Sequence, residues 1–415
     1  MKIAIAAENA SARFGGEAVL PLKYAQLLRE RGHEVSLLTH ERNRAGLQAD
    51  APDLAADAIF IPDTRMHRLI FRLGARMPTL LREHLFGNLL VLLTALAMRR
   101  QLRALVAAGQ VEIVHQPIPV SPAAPSLLHG LGVPVVIGPM NGGMDYPPSY
   151  RHHDAKLGRV FLRFGRAMAR GVNWLIPGKR RATLLLVANA RTRAALPVAH
   201  PQVIELVENG VDFRLWRAPV GVTKVDGFRL VFMGRLIPLK AVDATLEALA
   251  IARAARPDLD IRLDILGDGP ERARLAGLAG DGVRFLGFLP QTECRDHLAA
   301  SHALILNSLR ECGGAVVLEA MALGLPVIAS DWGGPADYVT PETGFLIHPE
   351  PPQDFAARLA KAILTLASDP ARAQAMGQAG LARVSEQFDW QAKIDRMEDI
   401  YAQALLAAQQ SEART

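Results

Sequence analysis

Apolar residues in this chain fall into two alternating patterns. Short unbroken runs predict buried strands, and longer stretches with apolar residues every three or four positions predict helices. Lys2–Ala7 reads as a strand, followed by a loop with Gly15-Gly16, a helix around Val19–Arg31 and a second strand over Glu34–Thr39. The same opening returns at Arg229–Met233, with Gly234-Arg235, a helix around Ala241–Ala255 and a strand over Ile261–Leu266. Strands alternating with helices predict parallel sheets covered on both faces, and the repeated opening predicts two Rossmann-like domains in tandem. Further strands are expected at Glu112–His115, Val133–Ile137, Leu184–Ala188, Val203–Val207, Val283–Leu286, Ala303–Asn307 and Pro326–Ala329. The pattern breaks at Asn209-Gly210-Val211-Asp212. The expected division is therefore an N-terminal domain over 1–212, a second over 213–387, and a helical segment over 388–415.

Composition narrows the class. A chain of 415 residues, half hydrophobic and 21% charged, has ample material for two cores. Its two cysteines, Cys294 and Cys312, are too few for a disulfide framework, which fits a reducing cytosol. The N-terminus reads as a strand rather than a signal peptide. The longest apolar run, Leu85 to Met98, is shorter than the ~20 residues needed to span a bilayer. Net charge +6 suggests an anionic partner: nucleotide phosphate, anionic lipid or nucleic acid.

The candidate chemistry lies after the strand Ala303–Asn307. There Glu311 and Glu319 bracket Gly313-Gly314 inside a run that is otherwise apolar. Burying an unpaired carboxylate costs several kcal/mol or forces protonation, so each acid requires a polar partner. Glu311 falls in the loop at the carboxyl end of the strand, where open parallel sheets bind ligands. Glu319 falls on the second turn of the helix Ala315–Leu323, which Gly324 closes. Gly313, Gly314 and Ala315 put backbone N–H groups at that helix's positive end, an anion site. A nucleoside-diphosphate sugar would satisfy all of these groups, with its ribose diol on Glu319, its diphosphate on the amides and its hexose on Glu311. The alternative is that Glu319 pairs with an arginine and Glu311 is a surface loop residue. Arg235 and Lys240, beside the Gly234 turn, are placed to neutralise a diphosphate. Asp258-Leu-Asp260 matches a metal-binding Asp-x-Asp but lies before a strand and reads as surface. No metal or cofactor is expected, only the sugar nucleotide as substrate.

The spacing Glu-x₇-Glu followed by Ala320-Met-Ala-Leu-Gly-Leu-Pro-Val-Ile-Ala329 resembles the retaining GT-B glycosyltransferases of family 4. Met233–Lys240, Leu266–Pro270, Phe285–Phe288 and Asn209–Asp212 resemble further turns of that family. Cys312 and Gly313 depart from it, since Gly and an aromatic or small residue usually follow the first Glu. The resemblance implies an α/β GT-B fold in which two Rossmann-like domains face each other across a cleft and a C-terminal helix packs back toward the first domain. It implies hexose transfer to an acceptor hydroxyl with retention of configuration. It also implies that the Gly15-Gly16 loop closes over the donor phosphates and acceptor, and that His115, in His115-Gln116-Pro117 where Gln116 replaces the family's Glu, lies against the donor hexose.

The N-terminal domain would hold the acceptor, and it is rich in arginine. Arg65 to Arg103 holds eight arginines and one acid, Glu83, with Arg65, Arg68, Arg72 and Arg76 at helical spacing. Ala155 to Arg181 has no acid, and Arg159, Arg163, Arg166 and Arg170 mark one face. Basic amphipathic helices favour anionic membrane surfaces. The expectation is a cytoplasmic enzyme, peripheral on the inner face of the plasma membrane, with a lipid-linked oligosaccharide or glycolipid acceptor in cell-surface polysaccharide synthesis. With 6% aromatics and no recognition module, nucleic acid is not expected. Competing readings are a nucleotide-sugar 2-epimerase of the same architecture and a non-catalytic subunit that binds sugar nucleotide.

Overall fold

A computed structural model describes residues 1–11, 16–75, 77, 82, 86–153 and 168–412. Its contacts divide the chain into two compact units.

The first unit carries a parallel sheet of seven strands: β1 (Lys2–Ala6), β2 (Glu34–His40), β3 (Ile59–Ile61), β4 (Ile113–Gln116), β5 (Val135–Met140), β6 (Leu184–Val187) and β7 (Val203–Glu205), in the spatial order β3-β2-β1-β4-β5-β6-β7. Three helices matter below: α1 (Gly16–Glu30), α2 (Arg65–Ala75) and α3 (Gly87–Ala107). The central strands are buried along their length but for Gln116 at the end of β4, the mark of a parallel sheet covered on both faces. Met98, Leu102 and Leu105 of α3 join Val114, Val135 and Leu185 in the core.

The second unit has six parallel strands: β8 (Phe228–Met233), β9 (Ile261–Leu266), β10 (Val283–Gly287), β11 (Ala303–Leu306), β12 (Val327–Ser330) and β13 (Gly344–Ile347), in the order β10-β9-β8-β11-β12-β13. Its key helices are α4 (Val242–Ala255) and α5 (Ala315–Ala322). Strand order reverses between β1 and β4 in one sheet and between β8 and β11 in the other, which defines a switch point in each.

The units differ from the expected division at 212 and 387 in two ways. The second unit begins at Asn209 and also takes in a segment that starts at Met144. Trp332 Nε1 donates to the carbonyl of Asp145 at 2.9 Å, the Arg310 guanidinium sits 5.5 Å from the Tyr146 ring centre, and Ser149 donates twice to the Glu350 carboxylate. The last helix, α6 (Trp390–Glu412), belongs to the first unit from Ile394 onward. There Asp395 pairs with Arg31, Glu398 with His33, and Tyr401 reaches His115.

Candidate functional site

In the second unit the carboxyl ends of β8, β9 and β10 are tied together by backbone. Gly234 N donates to Leu266 O at 2.9 Å, Leu236 N to Asp268 O at 2.9 Å, and Gly267 N to Gly287 O at 2.7 Å. A Cβ on Gly267 would lie 2.0 Å from Gly234 O, and one on Gly269 2.3 Å from Leu236 O. These turns interlock only because side chains are absent there. The network fixes the loop from which Arg235 and Lys240 project.

Across the switch point, Lys240 Nζ forms an ion pair with Glu311 Oε2, the two side chains 13% and 19% exposed. The loop after β8 is thereby joined to the loop after β11. Ser308 Oγ donates to the same carboxylate oxygen at 3.4 Å. Asn307, fully buried at the end of β11, accepts from Thr245 Oγ1 at 2.5 Å and donates to Ala241 O at 2.8 Å. It thus anchors the turn that carries Lys240. Ala241 has φ +46°, a left-handed conformation that costs a residue with a Cβ roughly 1–2 kcal/mol. Arg235 is exposed, and among the described residues no carboxylate meets its guanidinium.

Of the Gly-Gly pair, Gly314 caps α5. Gly314 is the N-cap at φ +88°, and a Cβ there would lie 3.2 Å from Glu311 Cγ. Gly313 is buried. The loop rests on a second pair, Gly333-Gly334. Gly334 N donates to Glu311 O at 2.8 Å, and Cβ atoms at these two positions would overlap the carbonyls of Glu311, Cys312 and Gly313. Sequence reasoning missed this support, although Gly-Gly-Pro following a strand was a visible signal.

Glu319, one helical turn beyond Ala315, is half-buried on an otherwise apolar helix. Among the described residues no donor meets its carboxyl. Desolvation raises its pKa from the ordinary 4.5 to about 8. The arginine partner of the alternative reading is not present among those residues. Phe288, directly after β10, is 85% exposed at the same end of the sheet. The sequence shows it only as part of a turn. Asp258 and Asp260 are exposed and pair with Arg256 and Arg262, a surface arrangement.

In the first unit, His115 departs from its expected place against a hexose. It lies in β4, as the expected strand Glu112–His115 has it, but is 0% exposed. Nε2 lies 2.6 Å from Gly138 O and Nδ1 2.8 Å from the Tyr401 hydroxyl, so both nitrogens are satisfied by protein when the ring is neutral. Burial lowers its pKa to about 4. Tyr24 and Tyr401 meet the ring edge-on at 4.8 and 5.7 Å. Gly16 opens α1 and is exposed, and the carboxylate of Glu17 accepts from Val120 N at 2.7 Å. Gly15 lies outside the described residues.

Residues 227–369 match the family model for Glycosyl transferases group 1. That span holds the whole second sheet together with Arg235, Lys240, Glu311 and Glu319. Over 244 residues the chain is 35% identical to a D-inositol 3-phosphate glycosyltransferase of Thermobispora bispora, covering 53% of this chain and 56% of that one. Over 176 residues it is 35% identical to a GDP-mannose-dependent monoacylated alpha-(1-6)-phosphatidylinositol monomannoside mannosyltransferase of Corynebacterium glutamicum, covering 40% and 45%. The chain spans about half the length of the curated relatives it matches. Among solved structures, Alr3699/HepE of Anabaena in complex with UDP is similar at TM-score 0.66 and 17% identity, over 97% of this chain and all of that one. A structure of WaaG, a glycosyltransferase involved in lipopolysaccharide biosynthesis, is similar at TM-score 0.60 and 17% identity, over 96% and 99%. The fold is GT-B.

Proposed function

We propose that this protein is a retaining glycosyltransferase that moves a hexose from a nucleoside-diphosphate sugar to an acceptor hydroxyl without a metal ion. The observation that carries this reading is Glu319: a half-buried acid with no protein partner among the described residues, one turn behind a glycine-capped helix start. A ribose diol offers it two donors. The diphosphate then reaches the amides at Gly314 and the guanidinium of Arg235, which no described carboxylate occupies. Lys240 is already held by Glu311, so an arriving phosphate shares that ammonium while hexose hydroxyls take up the carboxylate. Phe288 is placed to stack on the base.

In the reaction, the bond from the anomeric carbon to the diphosphate oxygen breaks. A bond to the acceptor oxygen forms on the same face, and the hydroxyl proton passes to the departing phosphate. Arg235, Lys240 and the helix start stabilise the charge that develops on that phosphate. His115 has no part in this scheme. The acceptor we favour is a lipid-linked oligosaccharide or glycolipid at the cytoplasmic face of a membrane. A relative named for a phosphatidylinositol monomannoside substrate supports that choice.

The test is titration calorimetry of UDP-, GDP- and ADP-sugars, with slow donor hydrolysis as a second readout. One base should bind and be hydrolysed. Loss of two charge-assisted hydrogen bonds in Glu319→Ala should weaken donor affinity about 100-fold with the melting temperature retained. Binding of none of these donors, or wild-type affinity in Glu319→Ala, overturns the reading. Release of the epimeric sugar in place of transfer would make the protein an epimerase.

A further inference from the structure

Exposed apolar side chains concentrate on two neighbouring helices of the first unit. On α2, Met66, Leu69 and Leu73 are 53%, 52% and 47% exposed, and on α3 Leu89 and Leu96 are 39% and 45% exposed, while Phe71 (67%) and Val91 (42%) project from the opposite side of their helices and stand outside this group. At ~100° per residue the three on α2 lie within about 60° of one another, and the two on α3 within about 20°. The helices touch along other stripes. His67 Nε2 meets Thr94 Oγ1 at 3.3 Å, and a Cβ on Gly74 would lie 2.8 Å from Phe86 Cβ. Numbers rise along α2 while they fall along α3, so the helices run antiparallel.

In each helix the contact stripe lies roughly 110° round from the apolar stripe, in the same rotational sense. Reversing one helix carries both apolar stripes to the same side. The result is one continuous apolar surface, on the side of α3 away from Met98, Leu102 and Leu105, which enter the core. Beside it on α2 runs an exposed basic row, Arg65, Arg68 and Arg72.

An ordinary surface helix turns its apolar face inward. This pair buries little of α2 beyond His67 and Gly74 and leaves the apolar face out. Contiguous exposed apolar area beside fixed positive charge is suited to the interface of an anionic bilayer, where leucines enter the acyl boundary and arginines meet headgroup phosphates. Among the described residues no helix is long and apolar enough to cross a membrane, so the pair would lie in the interface plane.

We infer that the paired face of α2 and α3 is a membrane-docking platform that takes anionic phospholipid. The second basic segment read from the sequence does not contribute to this inference, because Arg159, Arg163 and Arg166, like Arg76, lie outside the described residues. The platform is independent of glycosyl transfer and is tested without donor.

The experiment is sedimentation of the full chain with phosphatidylcholine vesicles, with and without phosphatidylglycerol, at low and physiological salt. Wild type should co-sediment with the anionic vesicles. Arg65→Ala/Arg68→Ala/Arg72→Ala should lower the partition coefficient on the order of 100-fold. Leu69→Asp/Leu73→Asp should lower it even at low salt, where charge attraction alone is strongest. Leu69→Trp should show a blue-shifted emission, relative to wild type, on adding anionic vesicles. That readout of insertion does not depend on the fold of the other variants. The inference fails if wild type stays in the supernatant, if the Asp variant sediments as wild type does, or if the added indole of Leu69→Trp shows no emission shift. It fails also if wild type forms a dimer that the Asp variant splits, because a second copy would then cover the face.

Discussion

The two units share a strand order and a switch point, and they fill it differently. Where β1 parts from β4, the chain places an imidazole that is neutral, fully buried and bonded at both nitrogens by Gly138 and Tyr401. Where β8 parts from β11, it places a Lys240–Glu311 ion pair, an exposed Arg235 that no described carboxylate meets, and a carboxyl, Glu319, that no donor of the described chain meets. The first arrangement is complete as it stands. The second has hydrogen-bonding capacity left over, which is what a site for a polar ligand requires. The same backbone geometry therefore identifies no site until satisfied polar groups are told apart from unsatisfied ones.

The largest expected effect tests the first half of that contrast. His115→Ala removes a buried ring and orphans Gly138 O and the Tyr401 hydroxyl, so it should cost about 3 kcal/mol of stability in urea unfolding. Unchanged stability with lost turnover would put His115 back against the sugar and end the contrast. Gly314→Ala comes next. It forces a Cβ into the left-handed region at about 1–2 kcal/mol and toward Glu311 Cγ, so donor hydrolysis should fall more than stability. Equal hydrolysis would mean that the glycine cap does not shape the site.

Titration should set the two switch points apart by sign. Glu319 has its folded pKa raised from 4.5 to about 8, so the stability it contributes is complete below pH 4.5 and is lost as pH rises through 8. Glu319→Gln should therefore lose less stability than wild type between those limits. His115 has its folded pKa lowered from 6.5 to about 4, so its contribution holds above 6.5 and is lost as pH falls through 4. Two-sided pH profiles of unfolding check both signs. If the diol binds the carboxylate form of Glu319, donor binding at pH 7 should release a proton, visible in calorimetry across buffers of different ionisation heat. The smallest effect is Ala241→Gly, which relieves the left-handed alanine in the Lys240 turn and should stabilise by at most about 1 kcal/mol.

Much of the second site could be read in the chain. Glu311 and Glu319 stood out because each breaks an apolar pattern whose period was clear, and the helix between them runs Ala315–Ala322, one residue short of its expected end. The strands missed were β3 and β13, both sheet edges of three or four residues. Edge strands are short and half-exposed, so they leave a weak run. His115 was misplaced because a histidine at the end of an apolar run looks the same whether it faces a ligand or a tyrosine 286 positions away. The arginine periodicity of α2 was visible. That its apolar stripe points outward, level with that of α3, was not.

The sequence by itself determined the two α/β openings, the glycine turns and the pair of acids, because hydrophobic period and backbone freedom are local properties. Only the tertiary structure decided which polar groups were already spoken for: Lys240 by Glu311, His115 by Gly138 and Tyr401, and Glu319 by none of the described residues. The reason is physical. A hydrogen bond is satisfied by whatever lies within about 3 Å in space, and a long chain folded through crossovers brings there residues that no sequence spacing connects.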